Sequence, residues 1–225
     1  MEMEKEEMTL KETIDEFMKR AASQAPKELL ENVGNEIRRL SESNIAANAL
    51  KAGAKAPEFS LPDPQGKPIS LSGLLMLNGP VVLTFYRGSW CPFCNLQLRA
   101  YQKALPEIKK LGATLVAVSP QTPDNSLTII EKQELTFPVL SDQGNHVARK
   151  YGLVFKLSEA VQAIQMAFGS DITKYNGDQS WELPMPGTFI IDRLGIIRFE
   201  AVDSNWTNRL EPSVILEQLE KLNNH

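Results

Sequence analysis

The 225-residue chain holds only two cysteines, and the run Cys91-Pro92-Phe93-Cys94 sets them three residues apart. On a helix that spacing puts two side chains on neighbouring parts of one face, so a pair in a first turn brings two sulfurs together. The unpaired N–H groups and the dipole of a helix start favour an anion, which lowers a thiol pKa and supplies the nucleophilic thiolate. Such a thiolate attacks a disulfide, or is oxidised by a peroxide to a sulfenic acid. The neighbouring thiol then displaces the adduct and leaves a disulfide within the motif. With no third cysteine, any resolution inside one chain has to use these two residues. Two other readings compete: a zinc half-site shared across a dimer, and two small buried hydrophobes that fell at this spacing by chance. Only His146 and His225 are available as further soft ligands, so one chain cannot easily assemble four zinc ligands; no metal and no other cofactor is expected.

The pair needs a strand, a short turn and a helix to position it, and the flanking residues read that way. Val81-Val82-Leu83-Thr84-Phe85-Tyr86 is a nearly continuous apolar run, as in a strand buried on both faces of a parallel sheet, and it leads directly into Arg87-Gly88-Ser89-Trp90-Cys91. Leu96 to Lys110 reads as helix stopping at Gly112, and Thr114 to Val118 reads as a second buried strand, which makes a βαβ unit. Thr122-Pro123 starts a helix that runs to about Glu134, Phe137 to Leu140 is a short edge-like strand, and Val147 to Tyr151 is a brief helix. Helical spacing returns from Glu159 to Phe168, followed by a polar, irregular stretch through Trp181 that is either a lid over the site or a surface insertion. Thr188 to Ile191 and Ile196 to Phe199 form a hairpin, and Pro212 to Leu222 closes the chain as a helix.

Upstream, Thr9-Leu10-Lys11-Glu12 has the form of a capping box, and Leu10, Ile14, Phe17 and Met18 follow at helical spacing up to a break at Ala25-Pro26. A second helix from Lys27 carries Leu30, Val33, Ile37 and Leu40 on one side. These stripes require cover, either from the main domain or from a second copy in a homodimer. The expected organisation is therefore a helical extension over 1–54 and an α/β domain over 55–225. A net charge of −4 and a pI near 5.4 argue against a nucleic-acid partner, and no apolar run approaches the roughly 20 residues that span a bilayer. The acidic start, Met1 to Glu7, lacks the basic and apolar regions of an export signal, so a cytoplasmic protein is expected.

The segment Phe85-Tyr86-Arg87-Gly88-Ser89-Trp90-Cys91-Pro92-Phe93-Cys94 resembles the active-site segment of peroxiredoxin-like proteins of the alkyl hydroperoxide reductase and thiol-specific antioxidant superfamily. Its Trp-Cys-x-x-Cys core also resembles thioredoxin. The likeness runs from Pro57-Glu58-Phe59 to Pro186-Gly187-Thr188-Phe189-Ile190-Ile191-Asp192. It implies a thioredoxin-like fold, with a central mixed sheet flanked by helices. It also implies a peroxidase that reduces hydroperoxides through Cys91 and Cys94 and is recycled by a thioredoxin- or glutathione-type reductant. A disulfide substrate and a redox sensor that only binds partners are the alternatives.

Peroxiredoxins place a threonine or serine three residues before the attacking cysteine. Alignment on that motif puts Cys94 at the attacking position and Cys91 where the hydroxyl residue stands. The family's later arginine falls on Pro186, where thioredoxins carry a cis-proline, so the site is expected to lack that arginine. Thioredoxins also carry a buried acid six residues before the first cysteine, where this chain has Phe85. A thioredoxin-like order would start instead at Cys91, expected nearer the surface. Trp90, Pro92, Pro186 and Thr188 are expected to shape the site. Arg87 is expected either to lower a thiol pKa or to make a structural ion pair.

Overall fold

A computed structural model describes residues 8–167 and 169–224. The acidic start, Phe168 and His225 lie outside the described residues. Helix α1 (Leu10–Gln24) opens on the expected capping box, with the Thr9 side chain accepting from the Glu12 N–H and the Glu12 carboxylate accepting from the Thr9 N–H. It ends at Ala25, which is extended ahead of Pro26 as a residue before proline prefers, and α2 (Lys27–Glu42) follows. A small hairpin of β1 (Ser60–Pro62) and β2 (Pro68–Ser70) leads into α3 (Leu71–Asn78).

The body is then built from β3 (Val81–Phe85), α4 (Pro92–Lys110), β4 (Thr114–Ser119), α5 (Pro123–Gln133) and β5 (Val139–Ser141). After α6 (His146–Lys150), β6 (Val154–Lys156), α7 (Glu159–Ala167), α8 (Ile172–Asn176) and β7 (Glu182–Pro184), the chain returns through β8 (Gly187–Ile191) and β9 (Ile197–Val202) to α9 (Pro212–Asn223).

Five strands form a mixed sheet in the order β5-β4-β3-β8-β9. β3, β4 and β5 are parallel, β8 runs antiparallel to β3, and β9 is antiparallel to β8 as the predicted hairpin requires. Alternation along β3 divides the core: Val81, Leu83 and Phe85 face one cluster with Leu40 of α2, whereas Val82 faces the other with α4, α5 and α9. Cys91 and Cys94 belong to that second cluster.

The stretch expected to be irregular is more ordered than its composition suggests. It contains α8 and hydrogen-bonds to the start of α5 through the Tyr175 carbonyl, and β7, which follows it directly, pairs antiparallel with β6 and buries Leu183. The amino-terminal stripes are largely used within the chain: Leu10, Ile14 and Leu40 are buried, and Val33 and Ile37 pack on the core. Among the described residues no helix is long and apolar enough to cross a membrane.

Candidate active site

Strand β3 delivers the site. Beyond its last residue the chain turns at Gly88, whose φ of 152° and position against the Trp90 indole leave no room for a Cβ, since one would come within 2.8 Å of Cδ1. Ser89 is held by Gln121: its N–H donates to Oε1 at 2.7 Å and its hydroxyl oxygen accepts from Nε2 at 3.0 Å. Asn95, in the first turn of α4, donates to the Ser89 carbonyl at 2.9 Å. These ties make Cys91 the N-cap of α4, Pro92 its first residue and Cys94 the third, so both sulfurs lie at the electropositive end of a 19-residue helix.

Both cysteines are reduced and fully buried. The expectation that Cys91 stands nearer the surface is therefore corrected. Trp90 and Phe93 pack against the cluster that holds the cysteines, and Phe17 of α1 closes edge-on against Phe93 with ring centroids 5.6 Å apart. Yet the surroundings of the sulfurs are not purely apolar. Arg87 donates through Nη2 to Cys91 Sγ at 3.1 Å, and its backbone N–H lies 3.5 Å from Cys94 Sγ. Nη2 of Arg209 lies 3.5 Å from Cys94 Sγ and 3.9 Å from Cys91 Sγ.

Arg87 itself is buried between two indoles, with its guanidinium carbon 5.1 Å from the Trp90 ring centroid and 4.7 Å from that of Trp206. Among the described residues no carboxylate pairs with Arg87 or Arg209. The expected structural ion pair is thus replaced by a contact with sulfur. An arginine stays charged even when buried, so these two cations favour a thiolate on the sulfurs they touch.

The two thiols titrate as one unit. Burial opposes ionisation of Cys91, but the hydrogen bond from Cys94 and the cations of Arg87 and Arg209 outweigh it and hold Cys91 well below the ordinary thiol range. Burial, with the bond to Cys91 and the charge on it, pushes Cys94 well above that range. Of the two thiols it is therefore Cys91 that ionises first and Cys94 that keeps its proton longer.

The other predicted residues are distributed around this centre. Thr188 is buried one layer away, its hydroxyl 3.0 Å from that of Thr84 and 3.3 Å from that of Tyr101. Pro186 lines a cavity with Thr188 and Arg209, but its peptide bond is trans, which corrects the expected cis-proline. Position 186 carries no arginine, as expected, but another arginine reaches the sulfurs from elsewhere. Arg209 comes from the segment between β9 and α9, 115 residues from Cys94 in sequence, and no local pattern announces it. Gln97 and Tyr101, also missed, follow Cys94 at helical spacings of three and seven, a signal the sequence did carry. Among the described residues no cluster of three or more His, Cys, Asp or Glu is arranged to hold a metal.

Comparison with known proteins agrees with the geometry. The chain is 28% identical over 183 residues to a chloroplastic peroxiredoxin Q of Sedum lineare, covering 81% of this chain and 82% of that protein. It is 33% identical over 106 residues to peroxiredoxin Bcp of Escherichia coli K12, covering 47% of this chain and 67% of that one. The solved structure of peroxidoxin BcpB from Mycobacterium tuberculosis superposes with a TM-score of 0.60 at 22% identity, over 77% of this chain and 98% of that one, and so shares the fold. Residues 52–200, most of the chain and including the whole dithiol loop, match the AhpC/TSA family, and the chain belongs to that family.

Proposed function

We propose that the chain is a thiol peroxidase in which Cys94 attacks the hydroperoxide, Cys91 first accepts the Cys94 proton and then resolves, and an external dithiol of thioredoxin type resets the pair. One observation carries this reading: two buried sulfurs, Cys91 in contact with the Arg87 guanidinium and both within 3.9 Å of Arg209 Nη2, beside cations that have no carboxylate partner among the described residues. As Cys94 sulfur attacks the distal oxygen of ROOH, its proton crosses to the Cys91 thiolate, the O–O bond breaks and RO⁻ departs. Cys94 becomes a sulfenic acid. The alkoxide takes the proton from Cys91 and leaves as ROH. The regenerated Cys91 thiolate displaces hydroxide from the sulfenic acid, forming the disulfide, and the hydroxide takes a solvent proton to become water. Arg87 and Arg209 offset negative charge at every stage, first on sulfur, then on the departing oxygen.

The assignment of attack to Cys94 rests on its position in the family motif. A small peroxide reaches the buried sulfurs after only local opening, whereas a folded disulfide or dithiol partner requires the cover over them to move. Both sulfurs come from one chain, so the chemistry needs no second subunit. A reducing compartment such as the cytoplasm is where an external dithiol keeps the pair cycling.

Stopped-flow oxidation of the wild type, Cys91→Ser and Cys94→Ser tests the scheme. The expected outcome is rapid disulfide formation in the wild type, a trappable sulfenic acid on Cys94 in Cys91→Ser, and loss of peroxide reactivity in Cys94→Ser. A wild-type rate no faster than that of free cysteine would refute the function. A sulfenic acid trapped on Cys91 in Cys94→Ser would reverse the order.

A further inference from the structure

One N–H group of Arg87 meets the Cys91 sulfur, at 3.1 Å from Nη2, while Nε is buried without a partner. An arginine side chain has many rotamers, so a single hydrogen bond leaves its guanidinium free to pivot. Stacking supplies the missing restraint. The guanidinium carbon lies 4.7 Å from the Trp206 ring centroid and 5.1 Å from that of Trp90, both inside the roughly 6 Å over which a ring face attracts a cation.

The two indoles are not equivalent. Trp90 stands beside Cys91 and against Gly88, so it belongs to the turn that sets the cysteines themselves. Trp206 comes from the segment between β9 and α9, is only 4% exposed, and packs in the first core cluster rather than in the one that holds the cysteines. Its anchorage is therefore independent of the dithiol turn.

The chain on either side of Trp206 is pinned by side chains. The Asp203 carboxylate accepts from the Asn205 N–H and from Asn208 Nδ2, each at 2.8 Å. Asn205 Oδ1 in turn accepts from the Thr207 N–H at 3.1 Å and the Thr207 hydroxyl at 2.7 Å. Such local bonds take the place of regular structure and fix the backbone that carries the indole.

Resting on the peroxidase reading above, we infer that Trp206 is a positioning residue of the dithiol site: its buried indole face holds the Arg87 guanidinium in the plane from which Nη2 meets the Cys91 sulfur. The ring also keeps water off that face of the cation, so the field at the sulfur is not screened from that side. Without the ring the guanidinium can pivot away or water can enter, and either loosens its hold on the Cys91 thiolate. Trp206 exchanges no proton or electron and acts only through Arg87.

The charged and titratable groups that act on Cys91 are Arg87, Arg209 and Cys94, so the test has to single out the first. Alkylation by iodoacetamide is followed across pH in Cys94→Ser, where Cys91 is the one thiol left. Adding Trp206→Leu is expected to move the profile upward by about half a pH unit, a roughly threefold slower rate on its acid side. Trp206→Phe, which keeps a ring face, is expected to recover most of that shift. In the Arg87→Met background Trp206→Leu is expected to add nothing, since the cation it seats is gone. Trp206→Met, whose flexible chain refills the space, replaces the leucine variant should that one not fold.

Three outcomes overturn the role of Trp206 and leave the peroxidase standing: a profile that superimposes on the parent's, leucine and phenylalanine variants that shift alike, or an equal shift with and without Arg87. A wild type that reduces hydrogen peroxide no faster than free cysteine overturns the peroxidase reading, while the same profiles still decide whether Trp206 seats the cation.

Discussion

Arg87 is the residue whose removal says most about the chemistry. Its guanidinium is 3.1 Å from Cys91 sulfur, is clamped by Trp90 and Trp206, and has no ion-pair partner among the described residues, so its effect is concentrated on one thiol. The fold holds Cys91 well below the ordinary thiol range, so its thiolate survives to lower pH than an ordinary thiol's and is lost as the pH falls through the lowered value. In Arg87→Met one of the cations opposing burial is gone and the titration moves upward. The expected result is an alkylation rate at pH 6 that drops roughly tenfold or more in the variant while the two proteins converge in alkali. Superimposable pH profiles would show that Arg87 does not hold the charge. Lysine is not expected to restore the wild-type profile, because a hydrated point charge loses the planar fit between the two indoles.

At the scale of elements, the cover over the thiols has to move during turnover, because an external thiolate cannot attack a fully buried disulfide. The contacts indicate which piece moves. Phe17 of α1 rests on Phe93, which lies between the two cysteines. The start of α1 is held by Glu211, whose carboxylate accepts from the Leu10 N–H at 3.1 Å and the Lys11 N–H at 2.7 Å. Glu211 is two residues from Arg209, so the α1 start and the cation on sulfur ride on one segment. Deleting the Phe17–Phe93 pair removes about 0.5–1.5 kcal/mol of edge-to-face contact. Phe17→Ala should therefore speed reduction of the oxidised protein by dithiothreitol roughly two- to tenfold, and an unchanged or slower rate would clear α1 of a gating role. Nothing local in the sequence foretold this contact, although the stripe of α1 did foretell that its apolar face would be covered. The strand β3, the helix α5 and the hairpin of β8 and β9 were legible because an apolar run, a first-turn proline and a short turn each act on near neighbours, whereas α4, expected from Leu96, starts four residues earlier at Pro92. β7 was not legible, since its three residues become a strand only by pairing with β6. Arg209 was not either, since chain topology and no periodicity brings it to the sulfurs.

For the whole molecule, the charge carried by the thiols becomes a question of stability. In the reduced state two buried or half-buried guanidiniums share one thiolate; oxidation to the disulfide removes that anion and leaves both cations without one. Stranding a buried charge costs on the order of 3–5 kcal/mol, less for a partly exposed Arg209, whereas closing so short a loop with a disulfide returns only about 2 kcal/mol of chain entropy. The oxidised protein should thus melt below the reduced one at neutral pH, the opposite of what a cross-link alone would do. The pH dependence has a definite sign. A thiol whose folded pKa is depressed stabilises the fold fully above its ordinary value of about 8.5, and that contribution fades as the pH falls through the folded value. The disulfide has no such titration. The gap in Tm between the two forms should therefore be widest in the neutral range, shrinking on acidification as the Cys91 thiolate is lost and in alkali as the unfolded chain ionises a Cys94 thiol that the fold keeps protonated, and in Arg87→Met it should shrink throughout that neutral range, because one of the stranded cations no longer exists. Thermal unfolding of both redox forms across that range decides the matter: an oxidised form that melts higher throughout, with a gap indifferent to pH and to Arg87, would mean that the thiolate is not the counter-ion of the buried arginines.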